Sequence, residues 1–159
     1  MSIIIFSRPV HSGKTTTLLE WSKGQKSITG ILMPDMDGER KMLDIRTNEI
    51  FDAECKDAGD AKAATVNIGR FYFYASSFKK ANSILMNEMA KAPEWLIVDE
   101  VGKLEMEENG FYPALKKLIP FYQSEKALGR LVLVIRDSLV EKVCSFFEIK
   151  DPVIVDTLP

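Results

Sequence analysis

The sequence predicts an α/β chain: a three-layer αβα sandwich with a mostly parallel central sheet and a β-hairpin insertion after the second strand. Three observations predict it. Short runs such as Ile3-Ile4-Ile5-Phe6 and Leu131-Val132-Leu133-Val134-Ile135 are aliphatic without alternation, the pattern of strands buried on both faces. Segments of helical period stand between such runs, and strand–helix alternation builds a parallel sheet covered by helices. A strand-rich middle, punctuated by turn residues, supplies the hairpin.

In chain order, residues 2–6 are the first expected strand and 7–13 a loop. Residues 14–23 read as a helix with a core stripe of Leu18, Leu19 and Trp21, and Gly24 as its stop. Residues 27–33 are apolar enough for a strand, and 34–38, Pro-Asp-Met-Asp-Gly, carry turn chemistry. Two short strands are expected over 40–46 and 49–53, across a Thr47-Asn48 turn. Residues 57–64 are small and polar, hence a loop, and 67–74 read as one strand region. The clearest helix covers 76–91, with Phe78, Ala81, Ile84, Leu85 and Met89 near helical spacing and Pro93 beyond its end. A strand over 94–98 stops at Asp99-Glu100. A helix over 111–122 has Pro113 in its first turn and Pro120 limiting its end. A strand at 131–135, a helix over 138–146 capped by Ser138, and a last strand at 152–155 complete the chain.

The 159 residues suit a single domain, 1–159, able to bury one core without a disulfide or metal staple. Apolar residues at 46% and charged residues at 28% are ordinary for a soluble globular protein. A net charge of -2 argues against a nucleic-acid coat, which needs a positive excess to displace counterions. Cys55 and Cys144 are far apart, lack a CxxC pattern and share the chain with one histidine, too few ligands for a zinc site. They read as reduced thiols, with Cys144 on a helix core face. No run reaches membrane-span length, and the first ten residues lack a signal peptide's basic start, so a cytoplasmic protein is expected, plausibly monomeric.

The chemistry concentrates in two places. Ser7-Arg8-Pro9-Val10-His11-Ser12-Gly13-Lys14-Thr15 follows the first strand and opens the first helix. Its end fits the phosphate-binding pattern G-x-x-x-x-G-K-[ST], with Arg8 where the first glycine is expected. Amides of residues 8–13 and of the helix start would cradle the phosphates, and Gly13 lets the backbone come close. Lys14 places a charge between β- and γ-phosphates, Thr15 offers Mg²⁺ a hydroxyl, and Thr16 reaches the α-phosphate. Arg8 is tolerated if its backbone keeps a negative φ. His11, the sole histidine, either contacts phosphate or is an exposed variable position.

The second place is Trp95-Leu96-Ile97-Val98-Asp99-Glu100, an apolar strand ending in two carboxylates, the Walker B pattern when a phosphate loop accompanies it. Asp99 would orient the magnesium shell, directly toward Thr15 or through water, and Glu100 would align or deprotonate the attacking water. Gly102 stands at D-x-x-G spacing, and Lys103 is a candidate to stabilise charge on the transferred group. Both motifs fall at carboxyl ends of strands, where open α/β sheets bind ligands.

With these motifs quoted, the sequence resembles the THEP1-type nucleoside-triphosphatases, called cancer-related nucleoside-triphosphatase in animals. Asp99-Glu100-Val101-Gly102-Lys103-Leu104-Glu105 is similar to that family's D-E-[IV]-G-K-[ML]-E signature, and Gly13-Lys14-Thr15-Thr16 to its phosphate loop. Gly38-x-Arg40 and Gly69-Arg70-Phe71 resemble its G-x-R and G-[RK]-[YF] steps, so the likeness spans most of residues 2–135. It implies a P-loop α/β fold and slow Mg²⁺-dependent hydrolysis of several nucleoside triphosphates, ATP and GTP among them, with Lys14, Thr15, Asp99 and Glu100 in the site. Arg8 and His11 depart from the family's glycine-richer loop, and Met42-Leu43 from the G-F that tends to follow its G-x-R.

Two other readings share the phosphate loop. A small-molecule or nucleotide kinase needs an acceptor pocket and usually an arginine-bearing lid, and no lid arginines cluster here. A nucleotide-binding module without turnover would bind and switch only. Arg40 and Arg70 are candidates for a charge-clamp arginine, with surface ion pairing as their alternative. The guanine-specifying N-K-x-D element is absent, and base preference is not legible.

Overall fold

The computed structural model describes residues 3–9, 12–55, 65–69 and 71–159. Their strands are β1 (Ile3–Arg8), β2 (Ile28–Leu32), β3 (Asp35–Met36), β4 (Glu39–Asp44), β5 (Ile50–Asp52), β6 (Glu54–Cys55), β7 (Thr65–Ile68), β8 (Phe71–Tyr74), β9 (Trp95–Val98), β10 (Arg130–Arg136) and β11 (Val153–Val155). Their helices are α1 (Lys14–Ser22), α2 (Ala75–Met89), α3 (Lys103–Met106), α4 (Tyr112–Gln123) and α5 (Val140–Phe146).

The main sheet runs β11-β1-β10-β9-β2-β4-β3, with β5 on β4. From β11 to β2 every pairing is parallel, and from β2 outward every pairing is antiparallel. This is the expected mostly parallel sheet with its hairpin insertion. The physical cause is alternation within each apolar strand. Ile3, Ile5, Leu96, Val98, Leu131, Leu133 and Ile135 join one core cluster with α2, α4 and Val143 of α5. Ile4, Phe6, Trp95, Ile97, Val132 and Val134 join the other, with Leu18. Both faces of these strands are therefore dry, at about 1.5–3 kcal/mol for each fully buried large aliphatic side chain.

The two helical layers are unequal. Against the second cluster stands α1, of which Leu18 alone is buried, while Leu19 and Trp21 are partly covered. Val155 and Leu158 of the C-terminal segment complete that layer, and Trp21 Nε1 donates to the Pro159 carbonyl at 2.6 Å. A three-stranded antiparallel sheet, β6-β8-β7, stands beside the main one.

Several expectations need correction. Residues 67–74 are not one strand but the end of one hairpin arm and the whole of the other, with Gly69 at φ 56° between β7 and β8. The 34–38 turn is tighter than expected and contains the two-residue β3, paired to β4. By contrast, α4 matches the expected helix within a residue at each end, with Pro113 in its first turn and Pro120 in its last. Pro120 and Lys116, whose carbonyl loses a partner, are both exposed residues on the solvent side of the helix. Ser138 does not cap α5: a 3-10 turn at Asp137–Leu139 precedes the helix, and the Asp137 carboxylate accepts the Ser138 N–H at 2.8 Å. The loop expected at 57–64 lies outside the described residues. Cys55 is buried and Cys144 half-buried, both as free thiols.

Candidate functional site

The parallel half of the sheet brings the two motifs together. β10 lies between β1 and β9, so the loop after β1 and the acidic end of β9 open at the same edge, two strands apart. The strand before the loop is longer than expected and ends at Arg8, paired in register with Arg136. Arg8 is thus extended backbone that tolerates a side chain. Its guanidinium turns to α1 and the C-terminal segment: Nε donates to the Asp156 carbonyl at 2.7 Å and Nη1 to Thr17 Oγ1 at 3.2 Å. The arginine that breaks the glycine pattern is occupied outside the loop.

Gly13 adopts φ 77° and ψ 30° at the N-cap of α1, a left-handed position that favours glycine. No side chain caps this helix, and its first turn holds no acidic residue. Among the described residues, then, no side chain occupies the first-turn amides, which at a helix start lack intrahelical partners. Ser12 and Thr16 are exposed there. Lys14 Nζ rests on the Arg8 and Pro9 carbonyls at 3.4 and 3.2 Å. Val10 and His11 lie outside the described residues, as does Arg70.

Thr15 meets Asp99 across 84 residues of sequence, donating from Oγ1 to Oδ2 at 2.7 Å. The same oxygen accepts the Met33 N–H at 3.0 Å, and Oδ1 accepts the Glu100 N–H at 2.9 Å. Asp99 is wholly buried. Burial, with the charge of Glu100, pushes its carboxyl up to about 6, against the opposing pull of its Met33 and Thr15 bonds and the Arg40 charge.

Glu100 sits in the left-handed region at φ 58°. A non-glycine residue held there stores strain of about 1 kcal/mol, a feature concentrated at functional sites. Its carboxylate lies 3.4 Å from Arg40 Nη1, which also donates to the Met33 carbonyl at 2.8 Å. Arg40 is therefore at the site and paired to Glu100, rather than on a remote surface. Lys14, Glu100 and Lys103 line one cleft of about 560 Å³, together with Arg136. Sequence reasoning passed over Arg136. Its signal was positional: the carboxyl end of the strand lying between the two motif strands.

Glu105 is the second functional side chain the sequence underplayed. It is buried on the short helix α3, which also escaped the sequence reading. Oε1 accepts the Gly102 N–H at 2.7 Å, closing the helix start, and Oε2 accepts the Phe111 N–H at 2.9 Å. Gly110, at φ 63°, leaves room for it, since a Cβ there would stand 2.0 Å from Oε2. Glu105 thus fixes the segment carrying Gly102 and Lys103. Burial pushes its carboxyl up to about 7, above the 4.5 it has free. A raised carboxyl holds its proton in the native chain after the unfolded chain has lost it, so its contribution falls as pH rises from 4.5 to 7. The stability advantage of the wild type over Glu105→Gln should shrink by about 3 kcal/mol across that window in urea titrations. A pH-independent difference would disprove the raised carboxyl.

An edge-opening parallel sheet, a glycine-ended loop on an uncapped helix and a carboxylate bonded to that helix's first threonine define a P-loop nucleotide-binding protein. A sequence profile described as NTPase matches residues 3–151. The chain belongs to this NTPase family and is an enzyme of the nucleoside-triphosphatase class. A relative, the nucleoside-triphosphatase THEP1 of Thermotoga sp. (strain RQ2), is 22% identical over 143 residues, covering 90% of this chain and 80% of its own. The crystal structure of THEP1 from the hyperthermophile Aquifex aeolicus superposes with TM-score 0.74 at 17% identity, over 99% of this chain and 90% of that one. The solution structure of a human cancer-related nucleoside triphosphatase gives 0.67 at 15%, over 99% and 89%. These likenesses agree with the α/β architecture and P-loop fold the sequence predicts. No helix of the described residues is long and apolar enough to cross a membrane.

Proposed function

We propose that the chain hydrolyses nucleoside triphosphates, ATP and GTP among them, to diphosphate and phosphate at the junction of the 7–15 loop with Asp99-Glu100, in the cytoplasm. The observation that carries this reading is the Thr15–Asp99 hydrogen bond, which ties the phosphate loop to the acidic strand end. In this reading the uncapped α1 amides and Lys14 hold the phosphates, and Glu100 orients the water and takes its proton. Lys103 and Arg136, exposed along the same cleft, neutralise charge on the transferred group. Arg8 contributes its backbone, its side chain being tied to Asp156 and Thr17.

The donor set fits Mg²⁺. A hydroxyl and a carboxylate stand together, and Mg²⁺ typically uses one or two such groups alongside phosphates and water. Thr15 and Asp99 would hold the ion, which when bound draws charge from the β- and γ-oxygens. Among the described residues no group of three or more His, Cys, Asp or Glu could hold a metal. An ion carried by the triphosphate suits that arrangement.

Phosphate release from ATP, GTP, CTP and UTP, with and without excess chelator, tests the reading. Lys14→Ala should lower the rate by about 10²–10³, the loss seen when one charge-stabilising donor is removed, and chelator should stop it. Equal rates for wild type and variant would end the proposal. Nucleotide that raises the melting temperature with no phosphate released would instead establish a binding module.

A further inference from the structure

The cleft beginning at Lys14 and Glu100 is larger than an attacking water requires. An attacking water takes about 30 Å³, whereas the cleft holds about 560 Å³, within the range of small-molecule sites. Of the described residues of the 7–15 loop, Lys14 alone is among its lining residues. Glu100 and Lys103 line it as well, so on the hydrolase reading the space adjoins the side where the γ-phosphate would end.

Part of its lining is aromatic. Phe71 and Phe73 stand two apart on β8, so their side chains share one face of that strand. Phe73 makes an edge contact with Phe78 at 6.0 Å, and Phe78 with Phe111 at 5.1 Å, which fixes this wall to the core. Phe71 is 44% exposed and lines the same cleft. Carboxylates accompany the rings. Glu54 is held by the Arg40 N–H at 3.0 Å, and Asp35 is exposed. Arg40 is already engaged with Met33 and Glu100. These residues together offer aromatic rings and hydrogen-bond acceptors, a set suited to a planar, uncharged, donor-rich molecule with hydroxyls. A nucleoside has that chemistry, and a second phosphorylated ligand would meet Asp35 and Glu54.

We propose that this cleft is an acceptor site, and that the enzyme transfers the γ-phosphoryl group to a hydroxyl of a nucleoside. This rests on the nucleoside-triphosphate reading of the loop. The acceptor oxygen forms a bond to the γ-phosphorus. The bond from that phosphorus to the β–γ bridging oxygen breaks, its electron pair leaving on the nucleoside diphosphate. The hydroxyl proton passes to the Glu100 carboxylate and then to solvent. Products are a nucleoside monophosphate, a nucleoside diphosphate and one proton. With water alone in the cleft, the same step yields phosphate.

The full chain with Mg²⁺ and γ-labelled ATP is incubated with adenosine, guanosine, cytidine, uridine or thymidine, and labelled nucleoside monophosphate is separated from phosphate. At least one nucleoside should take up label about tenfold faster than phosphate is released without acceptor. Phe71→Ala should lower the ratio of monophosphate to phosphate about tenfold, the loss expected of one base–aromatic stack. Asp35→Asn should lower it too, whereas Phe146→Ala, an exposed phenylalanine on α5, should not. Phosphate release with no nucleoside labelled would overturn the acceptor site and leave the hydrolase reading standing. Absence of both products, with nucleotide still bound, would overturn both readings. Label transfer indifferent to Phe71→Ala and Asp35→Asn would overturn the placement in this cleft.

Discussion

Glu100→Gln is expected to lower phosphate release by about 10²–10⁴, the range for a positioned general base, while nucleotide affinity stays within a few-fold. Glutamine keeps the shape of the side chain but cannot accept a proton. The backbone there stays anchored, because the Glu100 N–H is held by Asp99 Oδ1. Folding should change by no more than about 1 kcal/mol, since the ion pair lost, to Arg40 at 3.4 Å, is between partly exposed groups. Removing the neighbouring charge also relieves Asp99, whose carboxyl Glu100 helps to raise, so the Thr15–Asp99 contact should survive. Single-turnover phosphate release and nucleotide titration separate the two quantities. A variant that turns over within threefold of wild type while binding normally would move the base elsewhere.

Legibility of the fold followed burial. Strands dry on both faces leave continuous aliphatic runs, so β1, β9 and β10 were visible without ambiguity. The small sheet was not, because its strands are short and only partly buried, and one glycine left-handed at Gly69 decides between a strand and a hairpin. Pro120 was legible as standing in the last turn of its helix, since proline removes one hydrogen bond without forbidding the turn that follows. The site was legible where chemistry imposes spacing, at Gly13-Lys14-Thr15 and Asp99-Glu100. It was opaque where residues act through the sheet. Arg136 is beside the loop only because β10 separates β1 from β9, and Glu105 supports Gly102 only because a short helix starts there and brings its third residue back to the N-cap amide. Arg8 counted against the loop as sequence. As structure it is the last residue of a strand, with its side chain spent elsewhere.

Gly30 carries the largest expected effect on folding, although nothing in its sequence context marks it. It lies on β2 in register with Ile97, at φ 129°, which L side chains rarely adopt. A Cβ there would stand 2.1 Å from the Ile97 carbonyl oxygen and 2.6 Å from its nitrogen, both backbone atoms of the central sheet. Gly30→Ala must therefore combine backbone strain with overpacking, about 3–5 kcal/mol together. At about 2–4 °C per kcal/mol for a chain of this size, the melting temperature should fall by roughly 10 °C. The loss should reach the site. β2 ends beside Asp99, accepting the Asp99 N–H at the Ile31 carbonyl and supplying the Met33 N–H to Oδ2. Moving β2 from β9 breaks those bonds, so phosphate release per folded molecule should also drop. Gly38→Ala is the control. At φ 81°, with no atom within 4 Å of an added Cβ, it bears the strain without the clash and should cost about 1 kcal/mol. Urea midpoints for the two variants decide the matter. Equal destabilisation would mean that β2 moves away from β9 at little cost, and that the close approach of Gly30 to Ile97 is not what holds the acidic strand end in place.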